Sequence, residues 1–251
     1  MAARSRSPAA TPDVWEMLTH APLFSRLGPQ VLRTIAASSR VRSLGPGEPL
    51  WREGEPATAL GLVLAGRLKL CRSRDKREVM LDIALPGEVL GEIAFTLGSA
   101  YSSDAVSLRM ARVLLVPVAL IDSALEKDAR ATRALALELA QQVLRLSRAV
   151  EDRAATSVEA RVAGALVRLA ERAGEEFDGG VLIPLKLRRS DLAALAATTL
   201  ESTSRKIAEW HRQGWVTPQP AGYLIRNLPA LRQLQSGDPL MGVKERPRRR
   251  S

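Results

Sequence analysis

The pattern of apolar residues changes along the chain, and these changes divide the chain into segments. In residues 14–40 the apolar positions are spaced by three and four, which predicts short helices. In residues 41–118 glycines separate short β-favouring runs, such as residues 60–70 and 113–116. Short strands at this spacing predict an all-β sandwich, barrel or roll.

Residues 128–153 contain neither glycine nor proline and are predicted to form one helix about 40 Å long. Apolar side chains recur in it at alternating steps of three and four, which is typical of a coiled-coil seam. An ordinary core helix is the alternative interpretation. The seam residues are Ala136, Leu139, Val143, Leu146 and Val150, and the side chains predicted for the solvated face are Arg133, Glu138, Arg145, Arg148, Glu151 and Asp152.

The last segment has the pattern of a winged helix-turn-helix. Thr156 and Glu159 have capping-box spacing, which predicts a helix from there to Gly174. Residues 175–180 are predicted as a charged loop and residues 179–185 as a short strand. Residues 189–196 and 200–207 are predicted as two helices joined by a tight turn, in which a hydroxyl can cap the second helix. Residues 216–225 are predicted as a hairpin, the wing.

Composition narrows the class of protein. The 251 residues are 46% hydrophobic and 25% charged, which is typical of globular proteins, and the formal net charge of +10 favours a polyanionic partner. The single cysteine, Cys71, excludes an internal disulfide and any four-cysteine iron-sulfur or zinc site. No apolar run reaches the roughly 18 residues needed to cross a bilayer, so we expect a cytoplasmic protein without a membrane partner. Residues 1–13 and the basic residues 236–251 are predicted to be disordered tails.

Positive charge is concentrated in the helix-turn-helix, where residues 186–226 carry seven basic and three acidic side chains. Glu201, Ser204 and Arg205 share one face of the second helix, while Ile207 and Trp210 turn toward the core. Glutamate, serine and arginine can all form hydrogen bonds with base edges in a major groove. The alternative is an exposed ion pair between Glu201 and Arg205. The side chains predicted to contact DNA phosphates are Arg188, Arg189, Thr199, Lys206 and Arg212.

Four glycine motifs in the β-rich segment resemble those of the cyclic-nucleotide-binding β-roll. They are residues 45–48 (GPGE), 51–55 (WREGE), 64–66 (LAG) and 85–88 (LPGE). The resemblance implies an antiparallel β-roll of jelly-roll type, and it places the long helix between the roll and the DNA-binding domain as the seam of a parallel dimer. The overall prediction is an α+β protein.

The same resemblance implies an effector site at Gly91, Glu92, Ile93, Tyr101, Ser102, Leu146 and Ser147. In the family pattern a glutamate holds a ribose hydroxyl and an arginine meets the cyclic phosphate. Tyr101 stands in place of that arginine and has no fixed positive charge. Leu146 stands where members that respond to cyclic AMP present a threonine hydroxyl. Both departures argue against cyclic AMP, and the alternative for Gly91 and Glu92 is a turn kept for the fold.

The pattern of Glu201, Ser204 and Arg205 resembles the recognition helix of the Fnr branch of the Crp/Fnr family of bacterial transcription regulators. The resemblance implies TTGAT-like half-sites in a palindrome, read by a two-fold dimer. Leu200 replaces an arginine of the cyclic AMP receptor, so a Crp-type half-site is disfavoured. Ala197 stands in the turn where the family often carries glycine, so a positive φ there would be less comfortable for this chain.

The effector is not identified by the sequence. One cysteine rules out the iron-sulfur cluster with which Fnr senses oxygen. Heme, with His20 or Cys71 as a ligand, a cyclic dinucleotide, a metabolite, redox sensing by Cys71 or no effector at all stay open.

We therefore predict an allosteric homodimeric transcription regulator that binds double-stranded DNA, with RNA polymerase as a partner if it activates. The predicted domains are a β-roll sensor at 14–127, a dimerisation helix and hinge at 128–156, and a winged helix-turn-helix at 157–235. A regulatory subunit acting through a protein partner is the alternative. An enzyme is not expected, because no catalytic triad, metal-ligand spacing or phosphate-binding loop is present and His20 and His211 are the only histidines.

Overall fold

The computed structural model describes residues 13–74, 77–154 and 157–236. The chain divides into two compact units, Met1–Arg145 and Leu146–Ser251, with the division inside the long helix. The predicted domain bounds at 127 and 156 differ from this division and stay predictions. Thr156 and the two predicted tails lie outside the described residues, apart from Asp13 and Ser236. Asp13 caps the first helix, because its side chain accepts a hydrogen bond from the backbone N–H of Trp15.

The first unit combines short helices with two antiparallel sheets. Its elements in order are α1 (Val14–His20), α2 (Pro29–Ser38), β1 (Arg40–Leu44), β2 (Pro49–Trp51), β3 (Ala59–Ala65), β4 (Leu68–Arg74), β5 (Arg77–Ala84), β6 (Val89–Leu90), α3 (Glu92–Leu97), β7 (Asp104–Ser107), β8 (Ala111–Pro117), α4 (Val118–Lys127) and the first part of α5 (Ala129–Ala154). One sheet has the strand order β1-β8-β3-β6 and the other β2-β7-β4-β5. The predicted antiparallel β-roll is confirmed.

Two hydrophobic clusters hold this unit together. Leu62 and Val63 are neighbours on β3, and their side chains point to opposite faces of the sheet. Leu62 packs in the cluster that includes α1 and α2, and Val63 packs in the cluster between the sheets. Because both faces are covered, β3 is apolar almost throughout and does not show a simple alternation.

Residues 60–70, predicted as one strand-like piece, form parts of two strands. The chain turns at Gly66, whose φ is +76°. A Cβ at this position would lie 2.3 Å from the carbonyl oxygen of Met110, so a larger residue does not fit. The turn is therefore tied to glycine for both conformational and steric reasons.

Helix α5 has a buried face that differs from the predicted seam. Ala131, Ala134 and Leu135 are buried against the first unit's core, while the exposed fractions of Val143 and Val150 are 61% and 63%. Of the other seam residues, Leu139 is half-buried, whereas Ala136 and Leu146 are exposed. Leu137 and Leu144 extend the exposed apolar face and were not predicted. The seam residues are therefore outside the core of the single chain, apart from Leu139.

One residue assigned to the solvated face of α5 is not solvated. Glu138 is buried, with 6% of its surface exposed, and it pairs with Arg145 at 3.5 Å. Arg145 also lies 4.0 Å from a carboxylate oxygen of Asp82 on β5. The prediction was wrong for Glu138, because paired charges can be buried where lone ones cannot, whereas the side chain of Arg145 is 28% exposed.

The second unit contains a small sheet and the helix-turn-helix. After α5 its elements are α6 (Val158–Ala173), β9 (Glu175–Phe177), β10 (Gly180–Ile183), α7 (Arg189–Leu195), α8 (Leu200–Arg212), β11 (Val216–Gln219), β12 (Gly222–Ile225) and α9 (Leu228–Ser236). The strand order is β11-β12-β10-β9, and the predicted wing hairpin is β11 and β12. The cap of α6 is Ser157, whose hydroxyl accepts from the N–H of Ala160 at 2.9 Å.

The prediction of a charged loop at 175–180 was wrong. Residues of β9 pair with β10 in a tight hairpin, with Gly180 opposite Phe177. Asp178 and Gly179 form the turn with φ values of +44° and +69°. Arg226 fixes this turn by donating to the Asp178 carbonyl at 2.7 Å and to its carboxylate at 2.6 Å.

Candidate DNA-reading surface and effector site

Helix α8 is fixed at its start by a side-chain cap. The hydroxyl of Thr199 accepts a hydrogen bond from the backbone N–H of Ser202 at 3.1 Å, which satisfies one of the free amides of the first turn. The preceding turn contains Ala197 with a φ of +47°. The expectation that alanine would be uncomfortable at a positive φ there therefore applies to this chain.

The inner face of α8 carries its apolar anchors. Thr203, Ile207 and Trp210 are fully buried in the second unit. On the opposite side Glu201 and Arg205 are exposed and Ser204 is half-buried. The structure therefore brings the three predicted base-reading side chains to one outward face, because the anchors fix the rotation of the helix about its axis.

Glu201 and Arg205 do not form an ion pair with each other in the part of the chain that the structure describes. The ion pairs of α8 belong instead to Lys206, whose ammonium lies 3.2 Å from Glu159 on α6 and 3.1 Å from Glu209. The structure therefore does not contain the alternative ion pair between Glu201 and Arg205, and both side chains are available to a partner.

Lys206 is held inside its own unit. Burial lowers the pKa of its ammonium, but hydrogen bonds to Glu209 and Glu159 outweigh this effect, so the pKa lies above its ordinary value. Its side chain is only 22% exposed. This geometry does not support the prediction that Lys206 contacts phosphate, because the charge already lies between two carboxylates.

The other candidate phosphate contacts are accessible. Arg188, Arg189 and Arg212 are exposed, and so is the capping residue Thr199. Asp191 accepts from the backbone N–H of Arg188 at 2.9 Å and so holds the start of α7. These positions keep their predicted roles.

In the first unit, five predicted effector residues line one small cavity. They are Gly91, Glu92, Ile93, Tyr101 and Ser102, and the lining also includes Trp51 and Gln142. The cavity volume is about 40 Å³. This space holds a few waters at most, since one water needs about 10 to 15 Å³ on the same measure. Leu146 and Ser147 belong to the second unit, and both are exposed.

An aromatic pair fills the space beside this cavity. The rings of Trp51 and Tyr101 are stacked, with centroids 4.0 Å apart and planes 4° apart. The Tyr101 hydroxyl donates to the carbonyl oxygen of Ala59 at 2.7 Å. Gly91, at a φ of +89°, leaves room for the tyrosine, because a Cβ there would lie 3.2 Å from the ring. Burial raises the pKa of Tyr101, so the phenol stays neutral.

Glu92 is the polar end of the cavity. It is buried, with 2% exposed, and its Oε2 has no hydrogen-bond partner among the residues that the structure describes. Burial is the main cause that raises the pKa of Glu92 to about 7, and the nearby Glu138 carboxylate raises it further while Arg145 opposes the change. The carboxyl can therefore accept a proton near neutral pH.

The sequence interpretation missed Trp51 and Gln142, which line this cavity, and Glu138 and Arg145, whose charges act on Glu92. Trp51 lies in the glycine motif at residues 51–55, but no role in the site was predicted for it. The spacing of Glu138, Gln142 and Arg145 by four and three residues places them on one helix face, and this was the available signal. The sequence does not show that β5 and α3 lie next to this face and that Glu138 on it is buried.

The candidate heme and redox residues have ordinary environments. Burial is the main cause that raises the pKa of the Cys71 thiol to about 11, which disfavours the reactive thiolate. His20 lies on α1, and its Nδ1 is 2.7 Å from the carbonyl oxygen of Glu16. No group of three or more metal-binding side chains, and no helix able to span a membrane, occurs among residues 13–74, 77–154 and 157–236.

Comparisons with known proteins agree with both halves of this architecture. The model of the cyclic nucleotide-binding domain matches residues 41–128, and the model of the Crp-like helix-turn-helix domain matches residues 160–234. Together they cover more than half of the chain. The solved structure of FixK2 from Bradyrhizobium japonicum has the same fold, with a TM-score of 0.69 at 21% identity over 81% of this chain and 99% of that one.

Two curated relatives extend over most of the chain. The CRP-like cAMP-activated global transcriptional regulator of Mycobacterium tuberculosis is 24% identical over 211 residues, which are 84% of this chain and 94% of the relative. The cyclic AMP receptor protein of Thermus thermophilus is 27% identical over 219 residues, which are 86% and 97% of the two chains. The β-roll and the helix-turn-helix thus define a DNA-binding transcription regulator and not an enzyme. The chain belongs to the Crp/Fnr family.

Proposed function

We propose that the protein binds a palindromic operator with TTGAT-like half-sites as a homodimer. The observation that carries this proposal is the outward face of α8, where Glu201 and Arg205 are exposed and unpaired with each other while Ile207 and Trp210 anchor the helix. Glutamate can accept from cytosine N4, and arginine can donate two bonds to guanine O6 and N7. The exposed guanidinium groups of Arg188, Arg189 and Arg212 supply phosphate contacts.

The proposed dimer uses the exposed apolar face of α5. Val143, Leu146 and Val150 recur at steps of three and four and are 39% to 63% exposed in the single chain. An exposed stripe of this spacing buries its apolar area when it meets a second copy. A two-fold dimer then presents two recognition helices to the two half-sites of a palindrome.

We further propose that cyclic AMP is not the effector, although the names of two relatives refer to it. The place of the phosphate-binding arginine is taken by Tyr101, which stacks on Trp51 and is tied to Ala59. The remaining cavity of about 40 Å³ is far smaller than the roughly 300 Å³ of an ordinary ligand pocket. An effector of another kind acts by shifting the population of conformers that engage both half-sites.

Gel-shift titration with a TTGAT palindrome, a Crp-type palindrome and a scrambled duplex tests the operator. We expect the first to bind most tightly, and Arg205→Ala to weaken that binding by about 1 to 3 kcal/mol with relaxed specificity at one base pair. Arg130→Ala, which removes an exposed arginine of α5, is the matched control and should bind like the wild type. Equal affinity for all three duplexes would contradict the proposed preference for the TTGAT palindrome.

Calorimetric titration of the protein with cyclic AMP tests the effector proposal. We expect no saturable heat and no change in operator affinity. If Arg205→Ala leaves the protein's regulatory effect intact in cells, a regulatory subunit that acts on a protein partner becomes the better explanation. If the protein activates transcription, RNA polymerase is the expected partner.

A further inference from the structure

A cleft in the first unit lies between helices α2 and α4 and differs from the cavity at Glu92. Its volume is about 440 Å³, within the range of roughly 300 to 1,000 Å³ that is typical of small-molecule sites. None of the described residues lines both the cleft and the cavity. A ligand in the cleft buries apolar surface, which favours a molecule with a compact apolar body. The apolar wall consists of Leu27, Val31, Ile35, Leu120 and Ala124.

Two hydrogen-bond donors lie at the rim of this cleft on α4. Ser123 and Lys127 both line the cleft, and because they are four residues apart they lie on the same face of the helix. The Lys127 ammonium forms no ion pair, and the Ser123 hydroxyl no hydrogen bond, with any residue that the structure describes. Both donors are therefore available to a ligand.

The other polar residues of the lining have partners within the chain. The hydroxyl of Thr34 donates to the carbonyl oxygen of Gln30 at 3.1 Å. The carboxylate of Asp128 accepts from the backbone N–H of Arg130 at 2.8 Å, so it caps the start of α5, where the helix dipole favours a negative charge. The ligand group that fits the two available donors is therefore an anionic acceptor.

We propose that this cleft is an effector site for a small apolar carboxylate. The carboxylate accepts hydrogen bonds from Lys127 and Ser123, and the apolar body covers the wall of the cleft. A primary amine of the same shape is repelled by the ammonium of Lys127. An alcohol of the same shape binds more weakly, because its hydrogen bonds lack the contribution of a second charge.

The cleft is connected to DNA binding through the junction of α4 and α5. Asp128 lines the cleft and caps α5, which carries the proposed dimer seam at Val143 and Val150. A molecule that binds one arrangement of this junction better than another shifts the population of dimer conformers. This regulatory step rests on the proposed function, whereas binding of the carboxylate requires neither DNA nor a second copy.

NMR titration of the labelled protein with cyclohexylacetate tests the site. Cyclohexylethanol and cyclohexylethylamine are the matched neutral and cationic probes. We expect saturable binding of the carboxylate with a dissociation constant on the order of 1 mM, about tenfold weaker binding of the alcohol and no binding of the amine.

Two variants locate the bound carboxylate. Lys127→Met should weaken carboxylate binding about tenfold and leave alcohol binding unchanged, because it removes the charge and keeps an apolar stem. Arg133→Met, at an exposed residue of α5 outside the lining, should bind like the wild type. Val31→Trp fills the cleft from α2 and should abolish binding of both probes, with its fold checked by circular dichroism.

Operator affinity tests the effector role. The operator is selected from a random duplex pool by the wild-type protein, so that the test does not depend on the TTGAT assignment. We expect saturating cyclohexylacetate to change operator affinity about fivefold or more in the wild type and not at all in Val31→Trp.

The site is wrong if no carboxylate binds saturably, or if Lys127→Met binds it as well as the wild type does. It is also wrong if the wild type binds no carboxylate and Val31→Trp dissociates the dimer, since a second copy then covers the cleft. Saturable binding with unchanged operator affinity would refute the effector role. If no sequence is selected from the pool, the proposed function and the effector role fail together, while the binding result stands.

Discussion

The ammonium of Lys206 lies 3.2 Å from the carboxylate of Glu159 and thereby links the recognition helix α8 to helix α6. A second carboxylate, Glu209, lies 3.1 Å from the same nitrogen. A lysine held in this way differs from a free surface lysine, since its charge is already balanced within the domain.

Replacing Lys206 by methionine should leave the salt dependence of operator binding unchanged. Each lysine or arginine that neutralises a phosphate contributes about −0.9 to the slope of log K against log salt concentration. We expect Lys206→Met to keep the wild-type slope and to lower the free energy of unfolding by less than about 1 kcal/mol, because the ion pair is partly solvated. Arg189→Met is the comparison and should reduce the magnitude of the slope by about 0.9. A smaller salt-dependence slope in the Lys206 variant would support the original prediction that Lys206 contacts a phosphate.

Replacing Ala197 by glycine should stabilise the second unit. Alanine at a φ of +47° is strained, whereas glycine adopts this conformation without a Cβ penalty. We expect the free energy of unfolding to rise by about 0.5 to 1 kcal/mol, measured by urea titration. Ala194→Gly, inside α7, should instead cost about 1 kcal/mol. An equal loss in both variants would show that the turn is not strained.

The buried carboxyl of Glu92 should make the stability of the β-roll fall as the pH rises. Its pKa is raised from 4.5 to about 7 in the folded protein, so the folded state binds more protons between these values. The stabilisation by protonation is complete below about pH 4.5 and is lost as the pH rises through about 7, and it amounts to about 3 kcal/mol.

Thermal unfolding followed between pH 5 and pH 8 measures this effect. We expect Glu92→Gln to remove most of the decline, because an amide does not titrate. Glu126→Gln, at an exposed position on α4, should keep the wild-type profile. A profile in Glu92→Gln that matches the wild type would assign the pH dependence to another group.

A charge in the seam should separate the proposed dimer. Val143 is 61% exposed in the single chain, so Val143→Glu leaves the fold intact but places an unpaired carboxylate between two copies. We expect the dimer dissociation constant to rise at least about a hundredfold, measured by sedimentation equilibrium. Leu97→Glu, at a residue 71% exposed outside the seam, should leave the dissociation constant unchanged. Unchanged association of the Val143 variant would place the dimer interface elsewhere.

The recognition helix could be predicted from sequence because its signals are local. The hydroxyl of Thr199, the spacing of Ile207 and Trp210 and the polar residues between them lie within 12 positions of one another. A helix cap and an amphipathic period can be recognised from the local sequence, without knowledge of residues elsewhere in the chain. The structure adds the ion pairs of Lys206, which depend on Glu159 and could not be read from α8 alone.

The burial of Glu138 and its pairing with Arg145 could not be predicted for the opposite reason. Their helical spacing was visible, but charged residues at such positions usually face water. Their surroundings include Asp82 on β5 and Glu92 on α3, and these residues are distant in the chain. The turn at Asp178 and Gly179 was predictable, since an Asp-Gly pair is a strong turn signal. The strand before it was not predicted, because its acidic residues indicated a loop.

The stacked rings of Trp51 and Tyr101 belong to one chain, so their association does not depend on the concentration of any diffusing molecule. A cyclic nucleotide entering this region would compete with an intramolecular contact and would have to break the hydrogen bond from Tyr101 to Ala59 first. Such competition weakens apparent affinity by the fraction of molecules in which the rings are apart. If the proposal that cyclic AMP is not the effector is correct, we expect this internal contact to make the roll respond only weakly to changes in cyclic nucleotide concentration.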